Sequence, residues 1–282
     1  MFPDLIYDVG MHNGDDTAYY LSRGHRVIAI EANPILVKEA EKRFAAEITA
    51  GRLKILNVGV SDREGKFPFW ICDAKSEWSS FHRKIASRDG SAHHDIMVPC
   101  RRFASITAEH GVPFYLKIDI EGNDLLCLQG LPHDDLPKYV SLEAGVADPI
   151  EHLANLGYTG FQCISQRNYL ALQMPPCSGQ IPFEEALEKL CSRNIFMRAL
   201  RALGAKRRWS RQLDASRTRG DWKFPWGSSG PFGEDLPGDW QSAEEMRWTY
   251  RAFHELSDNG ARSIFWDGKD YSLWADLHAR RD

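Results

Sequence analysis

A chain of 282 residues, 43% hydrophobic and 26% charged, is long enough for one large domain and has the balance of an ordinary soluble protein. That balance excludes global disorder, collagen-like repeats and low-complexity architecture. No run reaches the roughly 18 uninterrupted apolar residues of a membrane-crossing helix. The net charge of -4 argues against binding nucleic acid through a global field. Met1-Phe2-Pro3-Asp4 opens without the basic and apolar regions of a signal peptide. The six cysteines, Cys72, Cys100, Cys127, Cys163, Cys177 and Cys191, form neither a Cys-x-x-Cys pair nor a zinc-finger spacing. They are expected as reduced core residues of a cytoplasmic protein.

In chain order, the first half alternates strand-like and helix-like runs. Leu5 to Val9 reads as a short buried strand ending at Gly10, and Asp15 to Ser22 as a helix with acids in its first turn and Gly24 beyond its end. Arg26 to Ile30 is a second strand. Asn33-Pro34 supplies an N-cap followed by proline at the first helical position, so a helix is expected to about Ala46. Leu53 to Val58 and Lys66 to Ile71 read as strands, the second one shorter. Asp73 to His94 is polar and irregular, a length at which loops often act as lids. Phe114 to Ile118 is a strand, a helix starts at Leu125 to Leu128, Tyr139 to Glu143 is a further strand, and a helix follows near Pro149 to Leu156. Phe161 to Ser165 and Tyr169 to Gln173 read as a hairpin. The alternation predicts an α/β fold with a doubly wound, mainly parallel sheet, and the hairpin adds an antiparallel edge.

The character changes after Met174-Pro175-Pro176. Phe183 to Leu203 has helical spacing, Arg193 to Arg219 holds nine basic residues and the single acid Asp214, and seven of the nine tryptophans follow residue 208. Gly227 to Gly233 is turn-rich. The expected organisation is therefore a ligand-binding domain over 1–176 and a C-terminal helical and irregular cap over 177–282. The basic run reads as a solvated helix face or an anion site, and Trp209, Trp222 and Trp226 as anchors of the tail or walls of a carbohydrate groove.

The strongest local signal is Asp8-Val9-Gly10-Met11-His12-Asn13-Gly14-Asp15, which follows a strand and opens a helix. Glycines there let backbone approach a ligand, and the helix start offers free N–H donors. The dinucleotide fingerprint G-x-G-x-x-G is absent: three residues separate Gly10 from Gly14, and Asp15 and Asp16 stand where a pyrophosphate needs positive potential. Glu31, ending the second strand 21 residues after Gly10, can accept from both hydroxyls of a ribose. Read separately these are a tight turn and a surface acid; together, on a doubly wound sheet, they describe a nucleoside site without a phosphate bridge.

Four segments, Asp8 to Thr17, Val27 to Pro34, Asn57 to Asp62 and Leu116 to Gly122, in this order and spacing, resemble the FkbM-type methyltransferases, Rossmann-like class I enzymes that use S-adenosylmethionine. The resemblance covers about residues 5–145, and Gly227 to Gly238 is similar to a tail found in some members. It implies that Asp8, Gly10 and Gly14 surround the methionine part of the cofactor, that Glu31 holds the ribose, and that Asn57 and Val58 flank the adenine with Asp62 nearby. It places Lys117 and Asp119 at the methyl centre.

Methyl transfer needs a positioned acceptor more than a strong electrophilic catalyst, and a hydroxyl acceptor also needs a proton sink. Asp119, Glu143 and His12 are the candidates. Asp119, Glu121, Asp124 and Glu143 together could offer hard oxygen ligands, but the expectation is no metal. Glu77 to Lys84, with His93-His94 beyond, is expected to cover the acceptor, a small molecule or glycan; no nucleic acid partner is expected. The implied activity is transfer of a methyl group to a hydroxyl oxygen of a sugar, glycan or secondary metabolite. The alternatives are an NAD-binding oxidoreductase on a similar sheet and a non-catalytic S-adenosylmethionine-binding module.

Overall fold

A computed structural model of the chain describes residues 1–144, 149–166, 169–172, 217–259 and 274–282. Its contacts divide the chain into two compact units, Met1–Thr159 with Leu277–Asp282, and Gly160–Asp276. Composition suggested a boundary at residue 176; the contacts divide the chain after Thr159 and return its last residues to the first unit. The expected helix over 183–203, Trp209 and most of the basic run lie outside the described residues.

The first unit opens with β1 (Phe2–Val9), α1 (Asp15–Ser22), β2 (Arg26–Ile30), α2 (Pro34–Arg43), α3 (Ala45–Thr49) and β3 (Leu53–Leu56). The expected Asn33 cap is present: its side chain accepts from Ile35 N at 3.0 Å, with Pro34 opening α2. Gly14, at φ 81°, caps α1 from a left-handed conformation. After β4 (Gly59–Val60) and β5 (Gly65–Cys72), the stretch expected to be irregular, Asp73 to His94, folds into short turns and α4 (Arg83–Ala86), and at its end begins the nine-residue β6 (His93–Arg101). β6 pairs antiparallel with β5 and parallel with β4, making a three-stranded sheet around Phe69, Ile71 and Val98. Then follow α5 (Phe103–His110), β7 (Pro113–Ile118), α6 (Asp124–Gln129), β8 (Tyr139–Glu143) and α7 (Pro149–Asn155).

The second unit contains β9 (Gly160–Ser165), the two-residue strands β10 (Thr218–Arg219) and β11 (Trp222–Lys223), and α8 (Ala243–Asn259); the chain closes with β12 (Ala275–Arg280). The main sheet has seven strands in the order β3-β2-β1-β7-β8-β12-β9. β3, β2, β1, β7 and β8 are parallel, and their middles are sealed by Ile6, Tyr7, Ala29, Leu116 and Val140. The mostly parallel, Rossmann-like α/β fold is as expected. Its antiparallel edge is made differently. Thr159 N donates to Arg280 O and Gln166 N to Trp274 O, so β9 runs opposite to the C-terminal strand β12. Over the described residues the expected hairpin pairs Ile164 with Ala171 in an antiparallel bridge, Ser165 N donating to Leu170 O and Leu172 N to Cys163 O.

Candidate functional site

Register brings the site together. Leu56, Ile30, Val9, Ile118 and Leu142 are successive Cα partners across β3, β2, β1, β7 and β8. The residue after each is therefore one row at the C-terminal edge: Asn57, Glu31, Gly10, Asp119 and Glu143. This is where open parallel sheets hold ligands. Five residues singled out from the sequence thus become neighbours, although 133 positions separate Gly10 from Glu143.

The turn after β1 is built around glycine. Gly10 has φ 84°, and a Cβ there would lie 1.7 Å from the carbonyl oxygen of Asp119. A Cβ on Gly14 would meet the Phe44 ring at 2.6 Å. Beneath the turn, Lys117 Nζ reaches Gly10 O at 2.8 Å, Asp8 Oδ1 at 3.1 Å, Asp119 Oδ2 at 3.7 Å and Asp16 Oδ2 at 3.9 Å. Thr17 Oγ1 donates to the other Asp8 oxygen at 2.6 Å. Burial works against the ammonium, but Asp8, Asp119 and Asp16 outweigh it and hold Lys117 charged, with its pKa above the usual lysine range. Lys117 and Asp8 thus brace the glycine turn from inside.

Glu31 sits at the mouth of β2 and accepts from two backbone donors, His12 N and Asn33 N, each at 2.8 Å. Burial pushes its carboxyl up to about 7, against those two hydrogen bonds. A carboxylate offers about four acceptor sites, so two remain for ligand hydroxyls. Asn57 Nδ2 donates to Glu31 O at 2.9 Å and Ala32 O at 3.2 Å, fixing the chain between β2 and the adjoining strand end. Val58 is half-buried next to it. Asp62 is not brought to the row: it is exposed, and its contacts are with its chain neighbours Ser61 and Arg63.

The acidic side of the site gathers the four acids the sequence grouped, Asp119, Glu121, Asp124 and Glu143. The Asp119 carboxylate is 43% exposed and so open to a ligand. Glu121 precedes α6 in a left-handed conformation, φ 50°, that is uncommon for a side chain with a Cβ. Three groups clamp it there. Asp124 accepts from Ile120 N and Gly122 N, Ser80 Oγ donates to Glu121 O at 2.7 Å, and Arg88 pairs with its carboxylate at 3.1 Å. Burial, with the charges of Glu143 and Asp119, raises Glu121 to about 8; burial, with Asp119 and Asp124, raises Glu143 to about 7. Arg88 carried no signal in the sequence, whereas Ser80 lies in the Glu77 to Lys84 segment expected to cover the acceptor. Among the described residues no three His, Cys, Asp or Glu side chains are grouped to hold a metal ion.

The segment expected to cover the acceptor lies against these turns. His12 Nε2 stands 2.7 Å from Ser76 Oγ, and His82 Nε2 is 3.1 Å from Asn123 Oδ1. Burial lowers the pKa of His12, so its imidazole is neutral near pH 7. Trp78 is half-buried, with Lys75 Nζ 3.8 Å from its ring centre.

A mostly parallel, Rossmann-like sheet with a glycine turn after its first strand and an acid ending the second is the frame of a nucleoside-binding α/β protein. The chain belongs to the FkbM methyltransferase family, whose domain model matches residues 8–161. The chain is 18% identical to a crystallised methyltransferase FkbM from Methylobacillus flagellatus KT over 50% of this chain and 32% of that one, with a TM-score of 0.35. It is 14% identical to a precorrin-6y C5,15-methyltransferase from Geobacter metallireducens GS-15, over 57% of this chain and 66% of that one, with a TM-score of 0.33. It thus spans less than two thirds of either. Comparison with curated proteins finds no match.

Proposed function

We propose that this methyltransferase uses S-adenosylmethionine and methylates a hydroxyl oxygen of a sugar, glycan or secondary metabolite. One observation carries the reading: among the described residues the strand-end row and its flanking turns gather Asp8, Asp15, Asp16, Glu31, Asp119, Glu121, Asp124 and Glu143, with Lys117, Arg88 and Arg43 as the cations beside them. Such a site favours a cationic ligand and repels a pyrophosphate, which separates it from a dinucleotide site on the same kind of sheet. The donor set also fits an adenosyl group, since Glu31 keeps two acceptor positions at the place of a ribose.

When bound, the cofactor supplies a methyl group activated by a positively charged sulfur. The chain's own residues do the rest. Asp8, Gly10 and Gly14 shape the turn that lets backbone approach the ligand, and Glu31, Asn57 and Val58 line the nucleoside end. The acceptor hydroxyl needs a proton sink as its oxygen forms the new bond. Glu143 and Asp119 stand in the row to take that proton, and Glu143, raised to about 7, is matched to neutral pH. His12, neutral and beside the glycine turn, is the third candidate. The Glu77 to Lys84 segment orients the acceptor and excludes water.

Among the described residues Cys72, Cys100, Cys127 and Cys163 are free and buried, which supports a reducing, cytoplasmic setting, and no helix there is long and apolar enough to cross a membrane. The test is thermal unfolding and calorimetry with S-adenosylhomocysteine, S-adenosylmethionine and NAD, followed by labelled-methyl transfer to a panel of sugars. A ligand at 100 times its Kd stabilises the native state by about 2.7 kcal/mol, a shift of several degrees. Response to the adenosyl ligands alone supports the cofactor; response to NAD alone overturns it. Label recovered on nitrogen or carboxylate acceptors, and none on hydroxyls, overturns the acceptor class.

A further inference from the structure

Within the Gly160–Asp276 unit, Arg217 is 6% exposed, the one buried arginine among the described residues. A guanidinium cannot shed its proton, and a buried charge without a counter-charge costs several kcal/mol. Among the described residues no carboxylate is paired with it, and its Nε has no hydrogen-bond partner. What it does touch is neutral. Nη2 donates to Pro225 O and, at 3.4 Å, to Tyr169 Oη, whose own proton goes to Ser228 O at 2.9 Å. The Tyr169 and Trp226 rings flank it, with centres 5.6 and 4.7 Å away. These contacts hold the guanidinium in place and partly compensate its charge, but none neutralises it.

The surroundings are built, not incidental. Gly227 and Gly230, at φ 88° and 84°, bend Gly227-Ser228-Ser229-Gly230 around Tyr169, and a Cβ on Gly230 would strike that ring at 2.5 Å. Ser228 and Ser229 are buried in the bend. At the rim, Trp226 is 65% exposed although its ring covers the guanidinium, and it meets the Trp274 ring with centres 5.1 Å apart. A fixed guanidinium fork with an unused Nε–H matches the oxygens of a carboxylate or phosphate, and an exposed aromatic rim suits a sugar ring.

We propose that Arg217 anchors an oxyanion-binding site, taking the phosphate or carboxylate group of a ligand whose body rests on Trp226. The inference stands on this unit alone and does not depend on the methyltransferase reading. Calorimetry and thermal unfolding of the full chain test it, with inorganic phosphate, glucose 6-phosphate, glucuronate and neutral glucose at fixed ionic strength. Saturable binding of at least one anion, with no response to glucose, is expected, and the anion that binds identifies the group. Arg217→Met should weaken it at least 10-fold and Arg217→Lys, which keeps the charge but not the fork, several-fold. Trp226→Ala removes an exposed ring and should weaken the sugar anions while sparing inorganic phosphate. No saturable response of the unaltered protein to any anion overturns the proposal. So does undiminished affinity in Arg217→Met or, if that variant does not fold, in both Arg217→Lys and Trp226→Ala.

Discussion

Asp8 and Lys117 are Cα partners in adjacent parallel strands, and their side chains meet at 3.1 Å with almost no solvent contact. Removing one partner leaves the other charge buried and alone, which costs about 3–5 kcal/mol. Lys117→Met should therefore lower stability by that amount in urea unfolding, and Asp8→Asn in the same chain should recover part of it. Because the lysine pKa is raised in the folded state, this contribution is complete below its unfolded value and constant through neutral pH.

Glu143 has the same sign but titrates near neutral pH. Its folded carboxyl is raised from 4.5 to about 7, so the native state binds more protons than the unfolded chain between those values. Stability from this group is lost as pH rises from 4.5 through about 7. At about 1.4 kcal/mol per pKa unit, Glu143→Gln should stabilise the protein by up to about 3 kcal/mol at pH 8.5 and by little at pH 4.5. The same change should lower methyl transfer at least 10-fold, with affinity for S-adenosylhomocysteine kept within a few fold. Unchanged turnover would remove Glu143 as the proton sink.

Gly10→Ala forces a Cβ to within 1.7 Å of the Asp119 carbonyl in a left-handed backbone. Conformational strain and displacement of the β7 turn should together cost about 2–4 kcal/mol. Asp119 moves with that carbonyl, so binding of S-adenosylhomocysteine should fall more than stability does when both are measured on the same sample.

Glu31→Ala removes the acceptor of His12 N and Asn33 N. Two donors left without a partner in a buried place cost about 1–3 kcal/mol each. The melting temperature should fall even without ligand, and adenosyl affinity should drop by the roughly 1.5–3 kcal/mol of hydrogen bonds to a charged acceptor. Calorimetry showing unchanged affinity would sink the ribose assignment.

His278, in β12, is buried and pushed down to about 3 by that burial. The unfolded imidazole charges near 6.5, so below that pH the unfolded chain binds the extra proton and stability falls toward pH 3 by up to about 1.4 kcal/mol per unit. His278→Leu should flatten this acid limb in unfolding curves recorded from pH 7 to 4.

How much of this was written in the sequence differs by element. The apolar runs at Leu5 to Val9, Arg26 to Ile30 and Tyr139 to Glu143 are buried on both faces of a parallel sheet, so they need no pattern beyond their own composition to be recognised. Asn33-Pro34 and the glycines at 10 and 14 are equally local, because a cap or a positive φ is decided by one or two residues. The strands at His93–Arg101 and Ala275–Arg280 were missed for a physical reason: the first exposes one polar face, and the second buries Asp276 and His278 where apolar residues are expected. Only their partners make them strands.

The site divides in the same way. Asp8, Gly10, Glu31, Asn57, Asp119 and Glu143 could be named from the ends of predicted strands, but that five of these ends fall in one row is a consequence of register. The left-handed Glu121 depends on Ser80 and Arg88, and the buried Arg217 on Tyr169 and Trp226. Local sequence determines backbone geometry and hydrophobic periodicity, which act over a few residues. Burial, ion pairing and the pKa shifts they cause depend on groups brought together from distant parts of the chain, such as Asp8 and Lys117, and for these the tertiary structure was decisive.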